Sequence, residues 1–337
     1  ALRDLEDAGE LTARVALSWT YKGPLEPMPM EEQDRLIAHR AEFDTEFINP
    51  DWVKLSIDGN FGSTGFALEP YILSGGTGIE AISLEDLSSD LARFDAMGIG
   101  MTVHAMGDGA ARRMLNAMEG ARAQNGTLTA RHQLGHASSI HPDDLPRLVE
   151  LDLTPEFSPV LWDPNGMIDG VAPNAGPERM SRLFPMRSVN EAGGRVVIAS
   201  DGPLFWHEPL ASLEVAVTRQ EVGGSERMNT PNEAIDLETA IRAVTVNSAY
   251  LMDQETTVGS IEVGKRADLI VLDRNLFEIP ATEIGQAEVQ MTVFDGEVVF
   301  DVNTDPSNEQ AIEAEYDVEL DLEGEQGYRG AFSDQSG

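Results

Sequence analysis

Residues 99–108 read IGMTVHAMGD, an apolar run that stops on one histidine and turns at once into Gly-Asp. Taken alone, His104 is most simply a packed core histidine with a hydrogen-bond partner. The reading changes if other strands end on side chains of matching chemistry, and several do. Arg14–Trp19 (RVALSW), Val53–Ile57 (VKLSI), Ile99–His104, Thr129–His136 (TARHQLGH), Leu153–Phe157 and Arg195–Ser200 (RVVIAS) are the predicted strands.

Helical punctuation separates them. Ser83 and Asp86 form a capping-box pattern, Leu87, Leu91 and Phe94 make an apolar stripe behind it, and Gly98 stops the helix. In HPDDLPRLVEL (141–151), Pro142 takes a first helical position and two carboxylates follow at the positive helix end. Repeated strand–helix units of this kind build a parallel sheet, either a (β/α)8 barrel or a doubly wound sheet. Near residue 250 the pattern changes to alternating, Gly-punctuated β segments from about Gly259 to Val302. The expected division is a barrel over 1–250, a small β domain over 251–303 and an acidic surface tail over 304–337.

The chain has 337 residues, no cysteine and a formal net charge of -36, from 59 acidic residues against 23 basic ones. Disulfides, thiolate ligands and a cysteine nucleophile are therefore excluded. Only Lys22, Lys54 and Lys265 are lysines. Such a carboxylate-rich, lysine-poor chain repels itself unless salt screens it, so a high-salt cytoplasm is the expected setting. The same field argues against nucleic-acid and anionic-membrane partners. No apolar run approaches the roughly 18 residues of a membrane span.

In parallel α/β folds, ligands gather at the carboxyl ends of strands. At those ends the chain offers Lys54, His104, His136 and Asp201, from four different strands. Two imidazoles and a carboxylate suit Zn or a similar divalent ion. An aspartate beside such an ion can also accept a proton from water. Lys54 has two readings: an ordinary strand lysine paired with Asp58 or another acid, or a lysine carbamylated by carbon dioxide. His132 and Asp58 are candidate substrate contacts, although His132 serves equally well as a hydrogen-bonded support. Arg131 and Asp108 read as readily as structural ion pairs. His207 and Trp206 follow Asp201 in the last loop and are candidate pocket residues. His39 and His141 receive no role. GNFGSTG (59–65) lacks a phosphate-loop lysine, so it fits a mobile loop over the pocket better than a nucleotide site.

Five blocks taken in order, VKLSIDGNFGSTGFALEPY (53–71), VHAMGDGAARRMLNAME (103–119), RHQLGHASSIHPDDLPRLVEL (131–151), VVIASDGPL (196–204) and VGSIEVGKRADLIVLD (258–273), resemble amidohydrolase family 3. These are metal-dependent hydrolases related to N-substituted formamide deformylases. The resemblance implies a (β/α)8 barrel with an appended β-sandwich and hydrolysis of a C–N bond in a small-molecule amide or formamide. It implies Lys54 as a carbamate ligand, His104 and His136 as fifth- and sixth-strand ligands, and Asp201 as the eighth-strand ligand that moves the proton. One or two divalent ions, Zn in the first place, are the implied cofactor.

Two departures stand out. Gly135 occupies the place of a usual glutamate, and the family's first-strand His-x-His occurs nowhere among the six histidines. The expected fold is therefore an incomplete barrel lacking its first two strands and part of the sandwich. Such a chain is expected to be inactive alone, and its open sheet edges favour homo-oligomers or pairing with the missing N-terminal portion. A rival expectation is a non-catalytic homologue, or a subunit completed by another polypeptide.

Overall fold

A computed structural model describes residues 1–22, 28–162, 164, 166–202 and 209–304. All six expected strands are present: β1 (Val15–Thr20), β2 (Ile48–Ser56), β3 (Gly100–His104), β4 (His132–Gly135), β5 (Thr154–Phe157) and β6 (Val197–Ile198). They form one sheet in the order β1-β2-β3-β4-β5-β6, every pair parallel. A doubly wound sheet reverses strand order at a switch point, and this one never does. Unbroken winding in one direction is that of a (β/α)8 barrel, here over six strands.

The bounds differ from expectation where local chemistry intervenes. Pro50 and Asp51 argue against a strand before Val53, yet β2 begins at Ile48. The register with β1 shifts between Ala16 and Ser18, a bulge that accommodates Pro50. The Pro50 carbonyl instead accepts the Trp19 indole N–H at 2.9 Å. β4 stops at Gly135 because His136 and Ala137 take left-handed backbone, φ 66° and 34°.

The capped helix spans Leu84–Ala96, and the Ser83 hydroxyl oxygen accepts the Asp86 N–H at 3.1 Å. The Asp86 carboxylate accepts the Ser83 hydroxyl proton, at 2.6 Å, rather than completing the backbone half of a capping box. Leu87, Leu91 and Phe94 are fully buried beneath it. The Pro142 segment is instead a 3₁₀ turn, Pro142–Asp144, followed by a helix over Leu145–Glu150. Pro146 has no N–H to carry one helix through both. No helix among the described residues is long and apolar enough to cross a membrane.

A second sheet, antiparallel, comprises β7 (Leu269–Leu272), β8 (Val289–Phe294) and β9 (Glu297–Asp301). Asp295 and Gly296 make its tight hairpin with φ 52° and 91°, the paired positive values of a type I′ turn. This is one three-stranded sheet, and no second layer of a sandwich lies among the described residues. The expected tail, 304–337, lies outside them after Thr304.

Arg14, just ahead of β1, ties the two sheets. Its guanidinium donates to Asp268 at 2.6 Å and to Asp295 at 2.7 Å, with its side chain only 7% exposed. It also lies 5.2 Å from the Phe47 ring and 5.1 Å from the Phe294 ring. Removing the cation takes the ion pair from Asp268, while Asp295 keeps Arg266 at 2.6 Å, so Arg14→Leu should destabilise the protein by about 2 kcal/mol. Urea unfolding would read this, and a loss below about 1 kcal/mol would refute the tie as described.

Candidate active site

Register decides what meets at the top of the sheet. Ser56, His104 and Gly135 are successive partners across β2, β3 and β4. Two residues earlier, Lys54, Thr102 and Gln133 form a second row on the same face. A Cβ placed on Gly135 would stand 3.4 Å from the Lys54 Nζ. The glycine thus leaves the upper row open where the lysine head rises into it.

The imidazoles of His104 and His136 meet edge to face, ring centroids 4.7 Å apart. His136 Nδ1 lies 4.0 Å from the Asp201 carboxylate and, though buried, makes no hydrogen bond. Asp201 itself sits at φ 59° after β6. The structure therefore brings His104, His136, Asp201 and Lys54 to one place. Burial and the Lys54 charge hold His104 down at about 4, against the pull of the Gly59 carbonyl. Burial, His104 and Lys54 hold His136 at about 3. Both rings are neutral at pH 7 and carry lone pairs. Burial raises the Asp201 carboxyl, and the Lys54 charge opposes that rise.

Sequence reasoning missed Glu156. Its carboxyl, at the end of β5, is raised by burial while Lys54 opposes the rise and Asp201 adds to it. The Gln133 amide donates to this carboxylate, and the Thr102 hydroxyl donates to Gln133 Oε1 at 3.1 Å. The strand itself was expected, but a glutamate is ordinarily read as solvated. Its place in the inward alternation of LTPEF was the available signal.

Asp58 and His132, the expected substrate contacts, are both buried. The Asp58 carboxylate is buried and accepts the backbone N–H of Phe66 at 2.8 Å, Met106 at 3.0 Å and Gly107 at 2.8 Å. Burial pushes it up to about 7 against those three donors. It stands 3.7 Å from His104 Nε2 and ties together the loops that carry the histidine. His132 lies at the opposite end of β4, paired in register with Met101, and is 1% exposed. Strand alternation puts it in line with position 136 only if the strand continues, and it ends at Gly135.

The other candidates are structural where they are described. Arg131 bonds Glu255 at 2.7 Å, and Asp108 accepts the Leu68 N–H at 3.0 Å. His39 pairs with Glu42 at the surface, and the His141 ring caps the 3₁₀ turn. The 59–65 loop is tied down: the Tyr71 hydroxyl donates to the Gly65 carbonyl at 2.8 Å, and the Asn174 amide donates to that of Gly62 at 2.7 Å. Trp206 and His207 lie outside the described residues.

The donor chemistry fits a divalent ion: two neutral imidazoles, one with an unpartnered buried nitrogen, and a carboxylate. Lys54 as an ammonium does not fit, having three donors and no acceptor. Among the described residues no group of three or more His, Asp or Glu is arranged to hold a metal ion.

The fold is that of a partial barrel with donor side chains at the strand ends, and the family follows from comparison with known proteins. The sequence matches the amidohydrolase family over residues 1–300, and the chain belongs to that family. It is 33% identical over 208 residues to the N-substituted formamide deformylase of Arthrobacter pascens, covering 61% of this chain and 38% of that protein. Over 260 residues it is 30% identical to YtcJ of Bacillus subtilis strain 168, covering 74% and 47%. Among solved structures it resembles an uncharacterized metal-dependent hydrolase of Pyrococcus horikoshii OT3, with a TM-score of 0.68 at 23% identity over 83% of this chain and 54% of that one. The chain spans less than half the length of the two curated relatives.

Buried His132 gives a pH prediction. Burial holds it at about 4, with Asp95 at 3.9 Å pulling the other way. Between about pH 6.5 and 4 the unfolded chain binds this proton and the folded one does not, so acid destabilises the fold across that window. Urea midpoints should fall from pH 6.5 to 4, and His132→Leu should flatten the fall. An unchanged slope in the variant would exclude the assignment.

Proposed function

We propose that this chain carries the metal-binding half of a hydrolase acting on a non-peptide C–N bond in a small amide or formamide. The observation that supports it most is the meeting of His104, His136, Asp201 and Lys54 above the ends of parallel strands. The deformylase relative adds support for the bond class.

His104, His136 and Asp201 would hold the ion, with Zn the first candidate. When bound, such an ion acidifies water and polarises a carbonyl. Lys54 would join after its amine nitrogen bonds to the carbon of carbon dioxide and releases a proton, which turns a cation into an oxygen donor. Gly135 leaves the adjacent space. Asp201, its carboxyl raised by burial, takes the proton of the attacking water and returns it to the departing amine nitrogen as the C–N bond breaks. Asp58 acts as a positioning residue for His104. The large negative charge selects against polyanionic partners and suits a salt-rich cytoplasm.

A second reading, a non-catalytic homologue or a subunit completed by another polypeptide, is favoured by the lack of a closed three-ligand group among the described residues. Metal analysis separates the two. Under the first reading the 337-residue chain retains Zn after dialysis, and His136→Ala and Asp201→Ala each weaken retention by at least about tenfold. Labelled bicarbonate should give a carbamate carbon signal that Lys54→Arg abolishes. Equal metal in wild type and both variants would overturn the first reading.

A further inference from the structure

The end of the sheet opposite the histidines holds a cavity of about 480 Å³, within the range of small-molecule sites. It opens where β5 and β6 begin. Asp152, Asn190, Arg195, Arg242 and Asn247 line it, together with the Gly193–Gly194 turn. No role in the proposed hydrolysis falls to any of them.

Arg242 is the unusual member. In a chain with 59 acidic residues against 23 basic ones, arginines find carboxylates or carbonyls readily. Among the described residues, Arg242 is the one arginine whose guanidinium makes no hydrogen bond or ion pair with the protein. Its neighbour Arg195 shows the usual state, paired with Asp152 and lying 3.5 Å from the Tyr250 ring centroid. Asp152, the one carboxylate of the lining, is engaged twice, since the Tyr250 hydroxyl also donates to it at 2.5 Å. The lining thus has a net positive charge within a strongly negative molecule. Arg242 also stands in the last turn of the helix Leu237–Val244, where the carbonyl end of the helix favours a cation but leaves its N–H fork free.

We propose that this cavity binds a small organic carboxylate, held by a two-pronged contact from Arg242, with the Asn190 amide and the remaining N–H of Asn247, whose amide also donates to the Val196 carbonyl at 2.9 Å, completing the polar shell. A planar guanidinium matches a planar carboxylate with two parallel N–H donors, which a spherical ion cannot exploit. The polar lining disfavours an apolar ligand, since unpaired polar groups would be buried beneath it. Charge makes the site selective within this chain, because elsewhere the net field repels anions.

The test is a titration of the isotope-labelled full chain, following the Gly193 and Gly194 amides and the Asn190 and Asn247 side-chain amides by NMR. The probes are sodium acetate, sodium succinate, sodium phosphate and sodium chloride at matched ionic strength. Saturable shifts with acetate or succinate that exceed those with chloride are expected. Arg242→Gln should weaken them by at least about tenfold, the worth of one charged hydrogen bond. Asn190→Asp, which adds a like charge at the rim, should weaken them as well. Arg242 is exposed, so its removal leaves the fold intact. Equal responses to chloride, saturation by phosphate alone, or shifts that persist in Arg242→Gln would each overturn the proposal. Because the cavity is remote from Asp201 and His136, failure of the hydrolase reading would leave this outcome unaffected.

Discussion

Strand register is the constraint from which the site follows. Parallel pairing in unbroken order leaves each strand one choice of partner row, and a slip of one residue would turn every inward side chain outward. With Ser56, His104 and Gly135 in one row and Lys54, Thr102 and Gln133 in the row beneath, two polar layers lie where barrels usually stack branched apolar residues. Polar atoms there are costly unless bonded. Thr102, Gln133 and Glu156 solve this by linking hand to hand across three strands. Lys54 has no such partner in the row and rises past Gly135 toward the histidines. The glycine that departs from the family pattern is therefore part of the site's shape.

Above the strands, the loops are fixed by backbone donors rather than by packing alone. One buried carboxylate, Asp58, gathers N–H groups from the turn after β2 and the turn after β3. That arrangement holds His104 against its neighbour His136 although the two lie on different strands. His136 and Asp201 share a second device: both leave their strands in left-handed backbone, φ 66° and 59°. Non-glycine residues adopt this conformation at a cost, and its appearance at two candidate ligands matches the tendency of strain to collect where geometry is held for chemistry. Burial then sets the charge states, keeping both imidazoles neutral and raising the carboxyl of Asp201.

Much of this was legible in the chain. Six apolar runs separated by capped helices gave the parallel sheet, and the residues at their ends gave His104, His136, Asp201 and Lys54. What escaped reading was decided by long-range contacts. A short run containing Pro155 conceals that Glu156 faces the pocket, because only pairing with β4 and β6 fixes its direction. Asp58 looks like a substrate residue in SIDG because sequence shows its charge but not the three backbone donors that enclose it. The start of β2 was hidden because a bulge around Pro50 cannot be inferred from one strand alone.

The two ends of the sheet also differ in how they use charge. At the histidine end a single lysine acts on His104, His136, Glu156 and Asp201, depressing the imidazoles and opposing the burial that raises the carboxyls. Replacing that ammonium by a carbamate would reverse the sign of the local field, favour protonated imidazole, and so require a cation to keep the rings neutral. In the proposed site, lysine modification and metal binding would therefore be coupled by electrostatics, each removing the obstacle the other creates. At the far end Arg195 is already matched to Asp152 while Arg242 is unmatched, and no such exchange of sign is available. A molecule carrying this much negative charge could thus keep the proposed cation site and the proposed anion cavity apart, since the strands run between them and salt confines each field to its own surroundings.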